Sequence, residues 1–399
     1  MNYTVFTVCN LAYLPKALVL ADSFYEFNSK KITIFLFDKK QDLPDKDINA
    51  EIIWVEDLRI PNFKQLAFKY DIIEFSTSVK PFISLKLLEK YDSVIFFDPD
   101  ICLYHSVEPI LADLENHSIV LTPHHTTPQS DDLSESDTAM MRFGSFNLGF
   151  YAVKKSEQGL YFLKWWSRRC LDLSYMESQF GLSTDQKWVS IAPCFFKDIH
   201  VSFNLGYNVA AWNSWERKIK KDDLGQYWVN DQYPLIFFHF SNFNSSDPGY
   251  MNKRSCYEKN IFRPDFLELG EKYAKKLSSK GSPSVRYSFD YMSGGEYISP
   301  TLRQAYACIL PELPLDHDPF DSAGVVGTFA QKNFLFEKGN LKYSRESFNK
   351  LSENGRKLKL IYFFMRILLR LFGPNKFQSF SRLLVYLSSY RRNRGLWKL

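Results

Sequence analysis

Residues Ser93-Val94-Ile95-Phe96-Phe97 run straight into Asp98-Pro99-Asp100, and no other stretch constrains the fold of this chain as tightly. A short apolar run, β-branched and aromatic, reads as a buried strand. In α/β sheets ligands bind beyond the carboxyl ends of such strands. A pair of acids placed there, with the chain turned by Pro99, suits a hard divalent cation held through oxygen. Such a cation can grip a diphosphate and neutralise it as a leaving group. The plainer reading of the same string is a strand-ending turn, where Asp and Pro are common.

The rest of the pattern gives that strand a setting. Strands are expected at 3–8, 32–37, 52–55, 119–121, 146–153 and 235–240, and helices at 14–27, 79–90 and 156–172. The β-α-β order predicts a mostly parallel sheet flanked by helices. Residues 126–138 are polar and acidic and read as a mobile loop. At 399 residues the chain can bury one large core or two domains. Its six cysteines form no C-x-x-C pair, which argues against a zinc site or a disulfide scaffold and suits a reducing compartment. No basic segment precedes the first strand, so no signal peptide is expected, and no apolar run is long enough to span a bilayer.

The net charge of +5 conceals an asymmetry. Residues 331–399 carry 16 Lys/Arg against 3 Asp/Glu, while the remainder carries 34 against 42. An acidic body with a strongly basic tail points to an anionic surface as partner. Within the tail, Lys359, Arg366 and Arg370 fall on one helical face and Leu360, Phe364, Ile367 and Leu371 on another, until Gly373-Pro374 breaks the pattern. A second basic and aromatic piece runs to Trp397, with Arg391, Arg392, Arg394 and Lys398. This composition suits an interfacial helix on an anionic leaflet, against the commoner fate of such stripes, packing on their own domain. Three regions are expected: a main α/β domain over 1–260, an irregular helical extension over 261–330, and a basic, membrane-associating region over 331–399.

Further motifs follow the acid pair in order: Phe146-Asn147-Leu148-Gly149-Phe150, Asp185-Gln186-Lys187-Trp188, Tyr207-Asn208-Val209-Ala210-Ala211-Trp212-Asn213, and Phe238-His239-Phe240-Ser241. With Phe97-Asp98-Pro99-Asp100 they make the chain resemble bacterial glycosyltransferases of the GT-A fold, and its layout is similar to that of glycosyltransferase family 8. The resemblance covers residues 1 to about 255. It implies a Rossmann-like GT-A catalytic domain over 1–260 with a helical C-terminal extension, a nucleotide-diphospho-sugar donor, a UDP-sugar by preference, and a glycan acceptor; the basic amphipathic tail adds the expectation that this acceptor is a growing surface glycan on a lipid carrier, at the inner face of the cell membrane. It implies Asp98, Asp100 and His239 as ligands of Mn²⁺ or Mg²⁺, a donor set of suitable chemistry. Asp185 and Gln186 would lie near the anomeric centre, Asp185 acting on a hydroxyl or proton and Gln186 on the oxocarbenium-like carbon. Thr7, Asn10, Lys80, Asn147, Gly149 and Arg217 would line the donor or acceptor, with Arg217 clamping a phosphate and His124-His125 lining the site.

Each of these residues has a plainer reading: a core histidine for His239, a solvated helix-face lysine for Lys80, a helix N-terminal acid for Asp185, a surface arginine for Arg217. Two departures from the family-8 pattern stand out. The first strand ends Thr7-Val8-Cys9-Asn10 without an acid for the base, and Ser241-Asn242-Phe243-Asn244 replaces a glycine-lysine phosphate clamp. By analogy the transfer is expected to retain anomeric configuration. The rival classes are a sugar nucleotidyltransferase, for which residues 1–30 supply no glycine for a phosphate loop, and a non-catalytic glycan-binding or scaffold protein. Nucleic acid is not expected as a partner.

Overall fold

The computed structural model describes residues 1–43, 48–128, 136–250, 263–281, 285–336, 355–397 and 399. The chain divides into two compact units, Met1–Phe63 with Ile72–Ser288, and Lys64–Asp71 with Phe289–Leu399.

The first unit opens β1 (Tyr3–Cys9), α1 (Leu14–Asn28), β2 (Ile32–Leu36), β3 (Ala50–Trp54). The short α2 (Phe63–Lys69) lies almost wholly in the second unit. There follow α3 (Ile72–Ser78), α4 (Lys80–Leu87), β4 (Ser93–Phe97), β5 (Ile101–Leu103), α5 (Glu108–Asn116), β6 (Ile119–Pro123), α6 (Ser136–Phe143), β7 (Phe146–Lys154), α7 (Glu157–Leu173), α8 (Gln186–Val189) and β8 (Ile199–Val201). Three short strands, β9 (Ile219–Lys221), β10 (Tyr227–Val229) and β11 (Tyr233–Pro234), form a separate antiparallel sheet before β12 (Phe237–His239) and α9 (Pro264–Ser278). The main sheet has seven strands in the order β3-β2-β1-β4-β7-β6-β8. Every neighbouring pair is parallel except the two made by β7, which runs against β4 and β6. The expected mostly parallel, helix-flanked architecture is therefore the one observed. The direction of β7 was illegible because a strand buried on both faces reads the same either way.

All five residues of β4 are buried. Phe97 packs against Phe150 at 5.5 Å and Phe237 at 5.0 Å between ring centroids. Each such phenyl contributes about 1.5–3 kcal/mol by burial. The sheet order also fixes where a ligand can sit. The chain passes from β1 to β2 on one side and returns to β4 on the other, so the carboxyl ends of β1 and β4 flank the point where strand order reverses.

Three expectations shift. The helix of 79–90 shortens to α4. The apolar run 235–240 gives only three strand residues, β12, which pair antiparallel with the unexpected β5 in a two-stranded sheet. Residues 136–138 of the expected loop begin α6, and 129–135 lie outside the described residues.

The second unit is helical: α2, α10 (Pro300–Ile309), α11 (Val325–Lys332) and α12 (Gly355–Leu387). Arg303 organises it, donating to the carbonyls of Ala67, Phe68 and Tyr70 at 2.6–3.0 Å and to Phe289 O and Asp290 Oδ1. Phe68 packs on Tyr306 and Phe320. The helix α12 is interrupted where expected, at Gly373, whose φ of 73° is left-handed. Its apolar stripe lies open: Leu360 is 58%, Phe364 56% and Leu371 71% exposed. The segment after it turns back onto α10. Ser389 is buried, Tyr390 N donates to Gln304, and Arg394 makes a two-pronged contact with Glu312 at 2.7 Å. No helix among the described residues is long and apolar enough to cross a membrane.

Candidate metal centre

Pairing of β5 with β12 brings together residues that are 139 positions apart. His239 sits opposite Ile101, directly after Asp100, and Phe240 N donates to Asp100 O. Asp98 N donates to Gly149 O at 2.7 Å, fixing the turn after β4 against β7. In consequence Asp98, Asp100 and His239 each offer a ligand atom within 4.8 Å of the others. Nε2 of His239 lies 3.1 Å from Asp100 Oδ1 and 3.8 Å from Asp98 Oδ2.

The ring of His239 is held on three sides. Nδ1 lies 3.2 Å from Asn208 Oδ1, so the tautomer that donates there leaves Nε2 free as an acceptor facing the acids. Trp212 meets it edge-on at 5.1 Å. On the third side stands Gly149, where an added Cβ would fall 2.3 Å from His239 Cε1. Asn208 in turn donates to Thr122 Oγ1 and Asn147 Oδ1. Its φ of 51° is one that asparagine tolerates better than most residues. Two carboxylates and an oriented imidazole form a donor set that fits Mn²⁺ or Mg²⁺, and the snug seat of the ring on Gly149 is what keeps the imidazole in it.

Beside this group, at the reversal point of the sheet, lies a cavity of about 360 Å³ lined by residues from β1, α3 and the acid turn, among them Asn10, Tyr13, Phe37, Thr77, Lys80, Asp98 and Asp100. Asn10 lies on its wall while its side chain accepts from Tyr13 N and caps the turn into α1. Thr7 does not reach the cavity; it is buried within β1 with its hydroxyl unpaired.

Lys80 lies on the cavity wall but is not a solvated helix-face lysine. Its Nζ, almost fully buried, lies 3.1 Å from Asp98 Oδ1, 3.1 Å from Leu148 O and 3.3 Å from Asp185 Oδ2. Burial alone would lower its pKa, but the carboxylates of Asp185 and Asp98 hold it above the usual lysine value. Asp185 is the other half of this pair. Burial raises its pKa against the pull of Lys80, and its Oδ1 accepts from Thr184. Its carboxylate therefore faces Lys80 and Thr184 rather than open space. Gln186 is also engaged, accepting from Leu148 N and donating to Phe143 O.

Arg217 is not brought to the acids. Its buried guanidinium donates to Tyr207 O at 2.6 Å and pairs with Glu216 at 3.3 Å, and burial lowers its pKa to about 10. It braces the segment that carries Asn208 instead of meeting a ligand. Behind Trp212 lies a second cavity, about 220 Å³, lined by His124, His125, Ala139, Met140, Phe143 and Trp212. Burial lowers the pKa of His124 to about 4, so its ring is neutral near pH 7, and Nε2 lies 3.4 Å from Asn147 Nδ2.

No protein-family model matches the chain. Among curated proteins, the uncharacterized protein YfnD of Bacillus subtilis (strain 168) is 30% identical over 175 residues, 43% of this chain and 54% of YfnD. The uncharacterized protein YfnF of the same organism is 26% identical over 176 residues, 43% of this chain and 58% of YfnF. The chain thus spans about half the length of the curated relatives it matches. Among solved structures, the galactosyltransferase LgtC in complex with donor and acceptor sugar analogs is similar at a TM-score of 0.41 and 15% identity, covering 71% of this chain and 97% of that one.

Sequence reasoning missed Asn208 as the partner of His239 and Lys16 beside Asp100. The first stood inside a motif already singled out, and its company of amides was the available signal. The second carried no signal, because a lysine in the first turn of a helix looks like any other.

Proposed function

We propose that the chain is a metal-dependent glycosyltransferase of the GT-A type. It moves a sugar from a nucleotide-diphospho-sugar, a UDP-sugar by preference, to a growing surface glycan. The observation that carries the reading is the convergence of Asp98, Asp100 and His239, two of which line a cavity of about 360 Å³ at the sheet's reversal point. Bound there, Mn²⁺ or Mg²⁺ would supply neutralisation of the leaving diphosphate. The protein's own residues do the rest. Phe37, Ile72 and Ile73 give the cavity apolar walls suited to a nucleobase. Asn208 and Gly149 seat His239, and the buried Lys80–Asp185 pair holds Asp98 in place, which makes Asp185 a positioning residue in this reading. Aromatic and apolar walls around Trp212 suit the face of an acceptor sugar. Retention of anomeric configuration is proposed by analogy with family 8.

The acceptor is proposed to be lipid-linked, with α12 lying on an anionic membrane at the cytoplasmic face. Its open stripe from Leu360 to Leu371 would enter the headgroup boundary and Lys359, Arg366 and Arg370 would meet lipid phosphates.

The test is release of nucleotide from a panel of nucleotide-sugars, with Mn²⁺ or with EDTA, for the wild-type protein and Asp100→Ala. Slow release from one donor, abolished by EDTA and lowered at least about a hundredfold by the substitution, is expected. A folded protein that neither releases nor binds any nucleotide in the presence of Mn²⁺ would overturn the reading in favour of a glycan-binding protein.

A further inference from the structure

The metal group leaves a charge problem that the sequence motifs do not solve. Asp98, Asp100 and Asp185 are three carboxylates, and among the described residues Lys80 is the buried cation, paired with Asp98 and Asp185. A divalent ion would bring the cluster close to neutrality, yet the leaving diphosphate adds further negative charge as the sugar departs. Lys80 cannot serve it, since its ammonium is already turned to Asp98, Leu148 O and Asp185. Arg217 is spent on Tyr207 O and Glu216. Residues 240–250 after His239 contain no Lys or Arg, and Lys253 and Arg254 lie outside the described residues.

Among the described residues one further lysine stands at the acids. Lys16 projects from the first turn of α1, with Nζ 3.9 Å from Asp100 Oδ2 and 4.2 Å from the ring centroid of Tyr13, itself on the cavity wall. Asp100 therefore divides its oxygens, Oδ1 toward His239 and Oδ2 toward Lys16. At 3.9 Å the ion pair is too long for a hydrogen bond. Lys16 makes no hydrogen bond among the described residues, so its three N–H donors stay available. Its side chain keeps a solvent-facing part, 17% exposed, where that of Lys80 keeps 5%. The positive end of α1 adds to the same field.

We infer that Lys16 is the residue that binds the diphosphate of the donor, reaching over Asp100 to the phosphate oxygens with its stem resting on Tyr13. The inference rests on the glycosyltransferase reading and supplies the clamp that Ser241-Asn242-Phe243-Asn244 does not.

Titrations with Mn²⁺ alone, with uridine, and with UDP in the presence of Mn²⁺ separate this role from a structural one. For Lys16→Ala, affinity for UDP should fall about tenfold to a hundredfold, the loss of a hydrogen bond to a charged group, while uridine binding stays unchanged. Mn²⁺ alone should bind as well as to wild type or better, because a neighbouring positive charge has been removed. Lys16→Arg should restore most of the UDP affinity. A Lys16 that merely props Asp100 would instead weaken Mn²⁺ binding, and that outcome overturns the inference. So does undiminished UDP binding by Lys16→Ala, or loss of UDP affinity confined to a Lys253→Ala/Arg254→Ala variant. If wild type binds no UDP, a panel of other nucleoside diphosphates with Mn²⁺ follows. Binding of none of them is a failure of the glycosyltransferase reading itself, whereas any that binds takes the place of UDP in the comparison.

Discussion

The acid turn after β4 and the open face of α12 depart from ordinary globular arrangement in opposite directions. At the first, charged groups are buried: Lys80, Asp100, Asp185 and His239 are each less than one-tenth exposed. At the second, Leu360, Phe364 and Leu371 are more than half exposed. Burying charge is costly unless each group is paired, and the first region brings a partner to each: Lys80 to Asp98 and Asp185, His239 and Lys16 to Asp100, and Asn208 to the imidazole. Exposing a contiguous apolar face is also unfavourable, and the second region has no such internal remedy among the described residues. The lesson is that the first region meets its charges with partners from several strands and helices, whereas the apolar stripe of the second stays open among the described residues.

If the two regions work independently, damage to one should spare the other. The largest effect is expected from Gly149→Ala. A methyl group 2.3 Å from His239 Cε1 must displace the ring or β7. Mn²⁺-dependent UDP binding should fall by about a hundredfold, and stability by about 1–3 kcal/mol from overpacking, while flotation with anionic vesicles is unchanged. Isothermal titration and a vesicle-flotation assay measure the two arms. Undisturbed Mn²⁺-dependent binding would show that His239 is not seated as described.

The converse variant, Leu360→Glu with Phe364→Glu, should lower binding to phosphatidylserine-containing vesicles by about tenfold or more, since each apolar side chain is worth about 1.5–3 kcal/mol when fully buried. UDP binding should not move. Point substitutions are preferable to truncation at residue 355, which would also remove Ser389, Tyr390 and Arg394 from their places on α10. Equal flotation of wild type and variant would remove the membrane from the proposed function and leave the metal centre untouched.

Legibility in the sequence differed between these regions for a physical reason. β4 was readable because five consecutive buried residues impose an apolar run, and α12 because its stripe repeats at helical spacing. Both are local signals. His239 could be joined to Asp100 only through resemblance, since the join is made by β5, three residues long, pairing with β12 far along the chain. Gly149 looked like room for a sugar, but it is room for an imidazole. Lys80 shares the Lys80, Lys86, Lys90 spacing of a polar face. What separates it from the other two is burial, which depends on Asp98 and Asp185 arriving from elsewhere. Arg217 is the same case with Glu216 as the partner.

The smallest effect sharpens the boundary of the exposed region. The sequence alone makes Arg394 look like part of one basic surface with Arg391 and Arg392. In the structure its guanidinium is already met by both oxygens of Glu312, and its Nη1 by Trp397 O. A guanidinium so engaged has few donors left for lipid phosphate, and leaving Glu312 would set one attraction against another. Arg394→Gln should accordingly leave flotation with anionic vesicles unchanged. Replacing Lys359, Arg366 and Arg370 together by Gln should weaken it, by about 1 kcal/mol for each residue near the surface. The exposed pair is screened by salt, so its loss should also leave the melting temperature where it was. Flotation that falls with Arg394→Gln as much as with the triple variant would mean that the segment after α12 leaves α10 for the membrane, and that the contact with Glu312 gives way when lipid is present.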